Sequence, residues 1–317
     1  MVREDVIPAI TKVSGESEFI DRIRRQVAGS HAREVVLGIG DDCAVYRPRG
    51  AAEDLLFTTD MMIEDVHFRR DTHAASDVGW KALARGLSDI AAMGGVPRFF
   101  LVSLAVPRWA VPRWVDGFYQ GALRLSRRER VPLIGGDVAR SSKLACDVVV
   151  CGSAPRGTAL RRDGARPGDA IYVSGRLGGS AVGLSLGKSR RRGPAWRRHT
   201  RPEPRLALGR FLRRLGATAA MDLSDGLSLD LRRLCLASKR CAAIGAPPRF
   251  PGATIEQALH GGEDYELLFT VPPATRVPSH FEGIPLTRIG VMRKGRPGTV
   301  LLNGAPLAPL GFDHLRA

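Results

Sequence analysis

The sequence predicts an α/β protein with mixed sheets and two domains, and three observations predict it. Apolar runs of strand length alternate with helix-patterned segments along most of the 317 residues. The chain is long enough for two cores, and its composition turns to Arg, Gly and Pro around Pro155 to Pro167. That shift divides it into residues 1–155 and residues 156–317. Acids also recur beside Gly, Ser and Thr where elements hand over to turns, and open α/β architectures collect ligands at such places.

Composition narrows the class. A hydrophobic content of 44% with 25% charged residues is that of a soluble globular protein. No apolar run approaches the ~20 residues of a membrane span. The amino terminus leads into no apolar signal core, and the five cysteines form no Cys-x-x-Cys pair. A cytoplasmic protein with reduced thiols and no membrane partner is expected. The net charge of +16 is almost wholly arginine, densest from Lys188 to Arg201. That run reads as a solvated, mobile loop, so no specific nucleic-acid partner is expected. Attraction to polyanionic small molecules is the more economical use of the charge.

The elements follow in order. Ser14, Glu16 and Glu18 open a helix whose apolar face is Phe19, Ile20, Ile23 and Val27. In Gly38-Ile39-Gly40-Asp41-Asp42 the glycines permit a sharp bend, and adjacent carboxylates suggest a cation, with an exposed turn as the bland alternative. A strand from Leu55 to Phe57 runs into Thr58-Thr59-Asp60. His67 stands between Val66 and Phe68, a setting more usual for a structural histidine. Ser76 caps a helix to about Met93, ended by Gly94-Gly95. Asp89 borders the apolar face of that helix and needs a partner, for which a metal is the candidate, with a carboxylate that simply points to water as the alternative. Phe99 to Val106 reads as a buried strand, 111–128 as a helix carrying Tyr119, and Val131 to Ile134 as a strand ending in Gly135-Gly136-Asp137. Leu144 to Cys151 is a further strand.

The second half opens on a strand within Gly168 to Gly175, then a small-residue helix from Gly178 to Leu186 and a helix from Pro204 to Leu215. Ala219-Ala220-Met221 runs into Asp222-Leu223-Ser224-Asp225-Gly226-Leu227, and a helix follows to about Ser238. Gly261-Gly262-Glu263-Asp264-Tyr265-Glu266 precedes a strand from Leu267 to Val271, and Asn303-Gly304 marks a hairpin turn. Asp41/Asp42, Asp60, Asp89, Asp137, Asp222/Asp225 and Glu263/Asp264 thus share one form. So many carboxylates in one cleft call for several hard cations, and oxygen ligands favour Mg²⁺, which in turn implies phosphate. The chain has neither a Walker loop nor the protein-kinase Asp-Phe-Gly signature, so ATP chemistry needs another scheme.

Gly38 to Asp42, Thr58-Thr59-Asp60 with His67, Leu87-Ser88-Asp89-Ile90-Ala91-Ala92-Met93-Gly94, Gly135-Gly136-Asp137, Asp222 to Leu227 and Gly261 to Leu267 together resemble the thiamine-monophosphate kinases. The match runs in order over nearly the whole chain. The resemblance implies ATP-dependent phosphorylation of thiamine monophosphate to thiamine diphosphate, the last step in making that compound. It implies direct in-line transfer and the fold of the aminoimidazole ribonucleotide synthetase superfamily. An amino-terminal ATP and Mg²⁺ domain, a homodimer formed through its sheets, and a carboxy-terminal domain completing the site come with it.

Carried over by position, Asp42, Thr58, Thr59, Asp60, Asp89, Asp137, Asp222 and Asp225 correspond to Mg²⁺ ligands. Tyr119, Gly136, Asp137, Arg162 and Ser224 correspond to ATP contacts, and His67, Glu263 and Phe312 to the thiamine side. The acceptor is itself a phosphate, so no catalytic acid or base is assigned. Two departures stand beside presumed ligands: Val138-Ala139 where the family commonly has two threonines, and Gly86 where it commonly has Asn. The rivals are another ATP-dependent synthetase or maturation factor of the superfamily and, from a different class, a nucleic-acid-binding protein on an inactive scaffold. A hydrogenase-maturation factor would be expected to end in a reactive Cys, and this chain ends Asp313-His314-Leu315-Arg316-Ala317. An inactive scaffold would have lost metal-ligand acids, and none is lost.

Overall fold

A computed structural model describes residues 15–27, 29, 32–186 and 192–315. Ser14, Lys188, Arg190 and Arg191 lie outside the described residues. After helix α1 (Glu16–Gln26) comes a six-stranded sheet built from β1 (Val35–Leu37), β2 (Ala44–Tyr46), β3 (Glu53–Ile63), β4 (Val96–Val106), β5 (Leu133–Arg140) and β6 (Ala145–Pro155). Its order is β1-β2-β3-β6-β4-β5, antiparallel except for the parallel β4–β5 pair. Helices α2 (Ala75–Ala92) and α3 (Arg113–Glu129) belong to this half.

The second sheet takes its strands from beyond residue 169. It contains β7 (Ala170–Ser174), β8 (Ala219–Asp222), β9 (Cys241–Ile244), β10 (Leu267–Val271), β11 (His280–Phe281), β12 (Ile284–Arg293), β13 (Val300–Leu302) and β14 (Ala305–Pro306). The order is β14-β13-β9-β12-β7-β10-β8, with β11 paired to β12, and Asn303-Gly304 forms the expected turn between β13 and β14. Helices α4 (Gly179–Ser185), α5 (Gly193–Thr200), α6 (Leu206–Leu215), α7 (Leu227–Ala237) and α8 (Ile255–His260) surround it.

Helix α2 is the axis of the molecule. Thirteen of its 18 residues are buried, so it is covered on nearly every side instead of showing one apolar stripe. Glycines let its neighbours come close. A Cβ at Gly79 would lie 1.9 Å from the Phe118 carbonyl of α3, and one at Gly209 of α6 would lie 1.9 Å from the Ala91 carbonyl. The larger apolar cluster accordingly joins Leu56, Leu87 and Phe100 to Leu208, Leu212, Phe269 and Val271 across both halves. A smaller one, with Val173, Leu231, Leu234 and Leu268, lies under α7.

Several sequence expectations are corrected. Ser76 does not cap α2, which starts at Ala75 behind Ala74 with no side-chain cap. Thr58-Thr59-Asp60 and Gly135-Gly136-Asp137 lie inside β3 and β5, not at strand ends. Their Gly and Thr content mimics a turn, but pairing to β6 and β4 continues through them. Residues 193–200 of the arginine run form α5, with His199 and Thr200 buried, so this part is no solvated loop.

Candidate active site

Strand parity decides which acids can meet, because successive side chains point to opposite faces. On β3 the residues Leu56, Thr58 and Met62 are buried beneath the sheet, and Asp60 shares their face and reaches Arg85 of α2 at 2.9 Å. Thr59 points the other way, donating to Asp147 of β6 at 2.7 Å. Asp137 is exposed, and its register partner Ser103 continues that outer row.

On the inner face three acids converge. Carboxylate oxygens of Asp42, Asp89 and Asp222 all lie within 4.8 Å of one another. Asp222 ends β8, where Ser88 donates to it at 2.6 Å, and Thr58 donates to Asp89. Arg162 forks onto Asp42, while its backbone N–H donates to Asp41 at 3.0 Å. Burial and the neighbouring Asp60 push the Asp89 carboxyl well above its usual range, and burial and Asp42 do the same to Asp222. Burial and Asp42 raise Asp41 to about 7. Hard oxygen donors that disfavour each other's ionisation suit a divalent cation such as Mg²⁺.

A cavity of about 550 Å³ opens beside Asp89 and Asp222 of this cluster, while Asp42 and Thr58 are not part of its lining. Asp60, Asp89, Asp222, Ser224 and Asp225 line one part; His67, Glu263, Phe312 and also His314 line another. The His67 ring lies 5.0 Å from that of His314, and its Nδ1 accepts from the Ile63 N–H at 3.0 Å. Burial and Arg85 lower His67 to about 4, leaving it a neutral imidazole at neutral pH. Tyr119, Gly136 and Asp137 do not line this cavity, and neither do Thr59 and Arg162. Tyr119 packs edge-on against Phe118 of α3.

The Gly261 to Glu266 segment is strained into place. Glu263 and Tyr265 have φ of 53° and 50°, in the left-handed region that costs a non-glycine residue about 1–3 kcal/mol. Backbone bonds from Glu263 to Ser224 (2.6 Å) and from Tyr265 to Leu223 (2.9 Å) hold them against the Asp222 turn. Asp230 of α7 braces the same turn by accepting from the N–H groups of Asp225 and Gly226, each at 3.0 Å, and Arg233 pairs with Asp225. Gly86 packs beneath β6, where a Cβ would come within 2.6 Å of Val150 Cγ2, so an Asn has no room without moving that valine.

Sequence reasoning missed Lys81, Arg85, Ser88, Asp147, Asp230, His73, Trp196 and His199. Lys81 and Arg85 precede Asp89 on α2 at helical spacings that share a face, the one signal that was available. His199 lay hidden in the arginine run.

With this geometry in view, comparison with known proteins is specific. Residues 40–154 match the family described as AIR synthase related protein, N-terminal domain. The thiamine-monophosphate kinase of Bacillus subtilis is 36% identical, over 90% of this chain and 95% of that one. That of Escherichia coli K12 is 37% identical, over 94% and 96%. The solved structure of AaThiL complexed with AMPPCP and TMP superposes with a TM-score of 0.85 at 33% identity, covering 97% of this chain and 100% of that chain. The hydrogenase maturation protein HypE shares the fold alone, with a TM-score of 0.64 at 18% identity over 80% and 87%. Identity at this level, over almost the full length of both chains, establishes that the chain belongs to the thiamine-monophosphate kinase family.

Proposed function

We propose that this protein transfers the γ-phosphoryl group of ATP directly to thiamine monophosphate, giving ADP and thiamine diphosphate. The observation that carries the reading is the placement of Asp42, Asp89 and Asp222 together beside a cavity whose further walls carry His67, Glu263 and Phe312. Asp42, Asp89 and Asp222 would hold Mg²⁺, with Thr58, Asp60 and Asp225 at hand. When bound, Mg²⁺ offsets the charge on both phosphate groups so that they can approach. Ser88 and Thr58 orient the acids by donating to them, and Arg162 fixes the Gly38 to Asp42 bend by its grip on Asp41 and Asp42. The acceptor oxygen is already anionic at neutral pH, so positioning replaces base catalysis.

Arg162 and Ser224 are proposed for ATP, as are Tyr119, Gly136 and Asp137 on or behind the outer strands. The outer face of the first sheet exposes Tyr46, Phe57 and Met61 in rows with Thr59 and Asp137. That apolar surface supports a homodimer joined through these sheets. Because each sheet draws its strands from one side of residue 155, residues 1–155 and 156–317 are read as two domains. Free thiols at all five cysteines and ATP as co-substrate support a cytoplasmic setting. No helix among the described residues is long and apolar enough to cross a membrane.

The test is stoichiometric. Purified protein with Mg²⁺ and ATP should form ADP only when thiamine monophosphate is present, with one thiamine diphosphate per ADP and little free phosphate. Phosphate matching ADP, with no thiamine diphosphate, would remove the kinase reading in favour of a synthetase.

A further inference from the structure

Helix α2 carries a cation midway between the two parts of the cavity. Lys81, Arg85 and Asp89 follow at four-residue steps and so share one face, each step about 6 Å along the helix axis. Asp89 belongs to the acid cluster, and Lys81 places its Nζ 2.6 Å from Glu263 Oε1 in the other part. Arg85 stands between them, and the charges of both Glu263 and Asp89 act on its guanidinium. Among the described residues, the arginines and lysines that line the cavity are Arg69 and Arg85. Arg69 is exposed, whereas the Arg85 side chain is only 14% exposed.

The residue next to Arg85 brings it there. A Cβ at Gly86 would meet Val150 Cγ2 at 2.6 Å and Thr58 Cγ2 at 3.6 Å, so α2 lies close upon β3 and β6 at this turn. From that position Arg85 Nη2 donates to Asp60 at 2.9 Å, and Nη1 donates to the Met61 carbonyl at 2.9 Å. These two bonds fix the plane of the guanidinium and use two of its five N–H groups. Burial would lower the Arg85 guanidinium, but Asp60 and the other acids beside it raise it on balance, so it keeps its charge. An enclosed, oriented fork with donors to spare matches the oxygens of a phosphate.

We propose that Arg85 is a catalytic residue of the phosphoryl transfer, its remaining N–H groups binding the acceptor phosphate of thiamine monophosphate between the acid cluster and Glu263. The inference rests on the thiamine-monophosphate reading, which puts that phosphate between the cation site and the part of the cavity lined by His67, Glu263 and Phe312. It adds a cation of the protein itself to the charge that Mg²⁺ supplies. Arg85 thereby holds the acceptor in place and selects the phosphorylated substrate over the same molecule without its phosphate.

Steady-state kinetics test it. Arg85→Met should raise KM for thiamine monophosphate at least about tenfold, the scale of a lost charge-assisted contact, while KM for ATP stays within about twofold. Thiamine, which lacks the phosphate, should inhibit the variant and the unmodified enzyme equally well. Raising Mg²⁺ should not restore KM, because an ion cannot replace the directed donors. Arg85→Lys keeps the charge without the fork; its KM should fall between the two with thiamine inhibition unchanged, and it carries the test if Arg85→Met does not fold. An unchanged KM for thiamine monophosphate, equal weakening of thiamine and thiamine monophosphate, or full recovery at high Mg²⁺ would reduce Arg85 to a partner of Asp60 and overturn the proposal while leaving the kinase reading in place. Absence of thiamine diphosphate formation by the unmodified enzyme would remove both.

Discussion

Asp222→Asn is expected to abolish turnover while leaving the fold at least as stable as before. Asp222 supplies one of the three carboxylates at the acid cluster and is buried at the end of β8, where it borders the cavity. Losing that charge should lower kcat/KM by at least about two orders of magnitude, in line with removal of one transition-state-stabilising group. Stability moves the other way. Burial and Asp42 raise the folded carboxyl well above its unfolded value, so its ionisation opposes folding at high pH when no cation is present. Asn carries no such charge and still accepts from Ser88. Without Mg²⁺ the variant should therefore melt at or above the wild-type temperature at pH 8, and the gap should narrow as falling pH protonates Asp222. Near-normal turnover at millimolar Mg²⁺, or a large drop in melting temperature, would refute the assignment.

Glu266→Ala is expected to cost about 3–5 kcal/mol of stability, the scale for breaking a buried charge network from one side. Glu266 is fully buried, and Arg205 Nε and Arg198 Nη2 donate to it at 2.8 Å and 2.7 Å. Ser174 Oγ adds a third donor at 2.5 Å. Burial would raise its carboxyl, but Arg205 and Arg198 hold it at about 2, so it is ionised across the physiological range. Truncation leaves two mostly enclosed guanidinium groups without their counter-charge, and Glu266→Gln should be milder because it keeps the hydrogen-bond geometry. Urea unfolding of the alanine variant within about 1 kcal/mol of wild type would show that solvent already reaches the arginines.

Much of the site was legible because it is written locally. Asp222 at the end of an apolar run, and Glu263 after two glycines, announce themselves through neighbours one or two residues away. Asp60 and Asp137 were found as acids but misplaced as strand ends, since hydroxyl and glycine content mimics a turn and only pairing to β6 and β4 shows otherwise. Parity then separates them, Asp60 facing α2 and Asp137 facing outward. His199, and Lys81 beyond its helical spacing to Asp89, were illegible for a different reason. Their meaning lies in partners far along the chain, Glu263 for both, and no local pattern encodes such a pairing. Arg198 shows the limit of charge counting: one arginine of a run turns inward to Glu266, and composition cannot say which.

The apolar cluster that passes from the first sheet through α2 and α6 into β10 has a consequence for melting. Leu87 and Phe269 belong to one continuous packing, so neither half can lose its interior without baring that of the other. Heat should not find a seam at residue 155, even though each sheet ends on one side of it. Calorimetry should record one endotherm in place of two, and a protein whose acid cluster draws Asp42 and Asp89 from one half and Asp222 from the other would then never present half of that cluster folded.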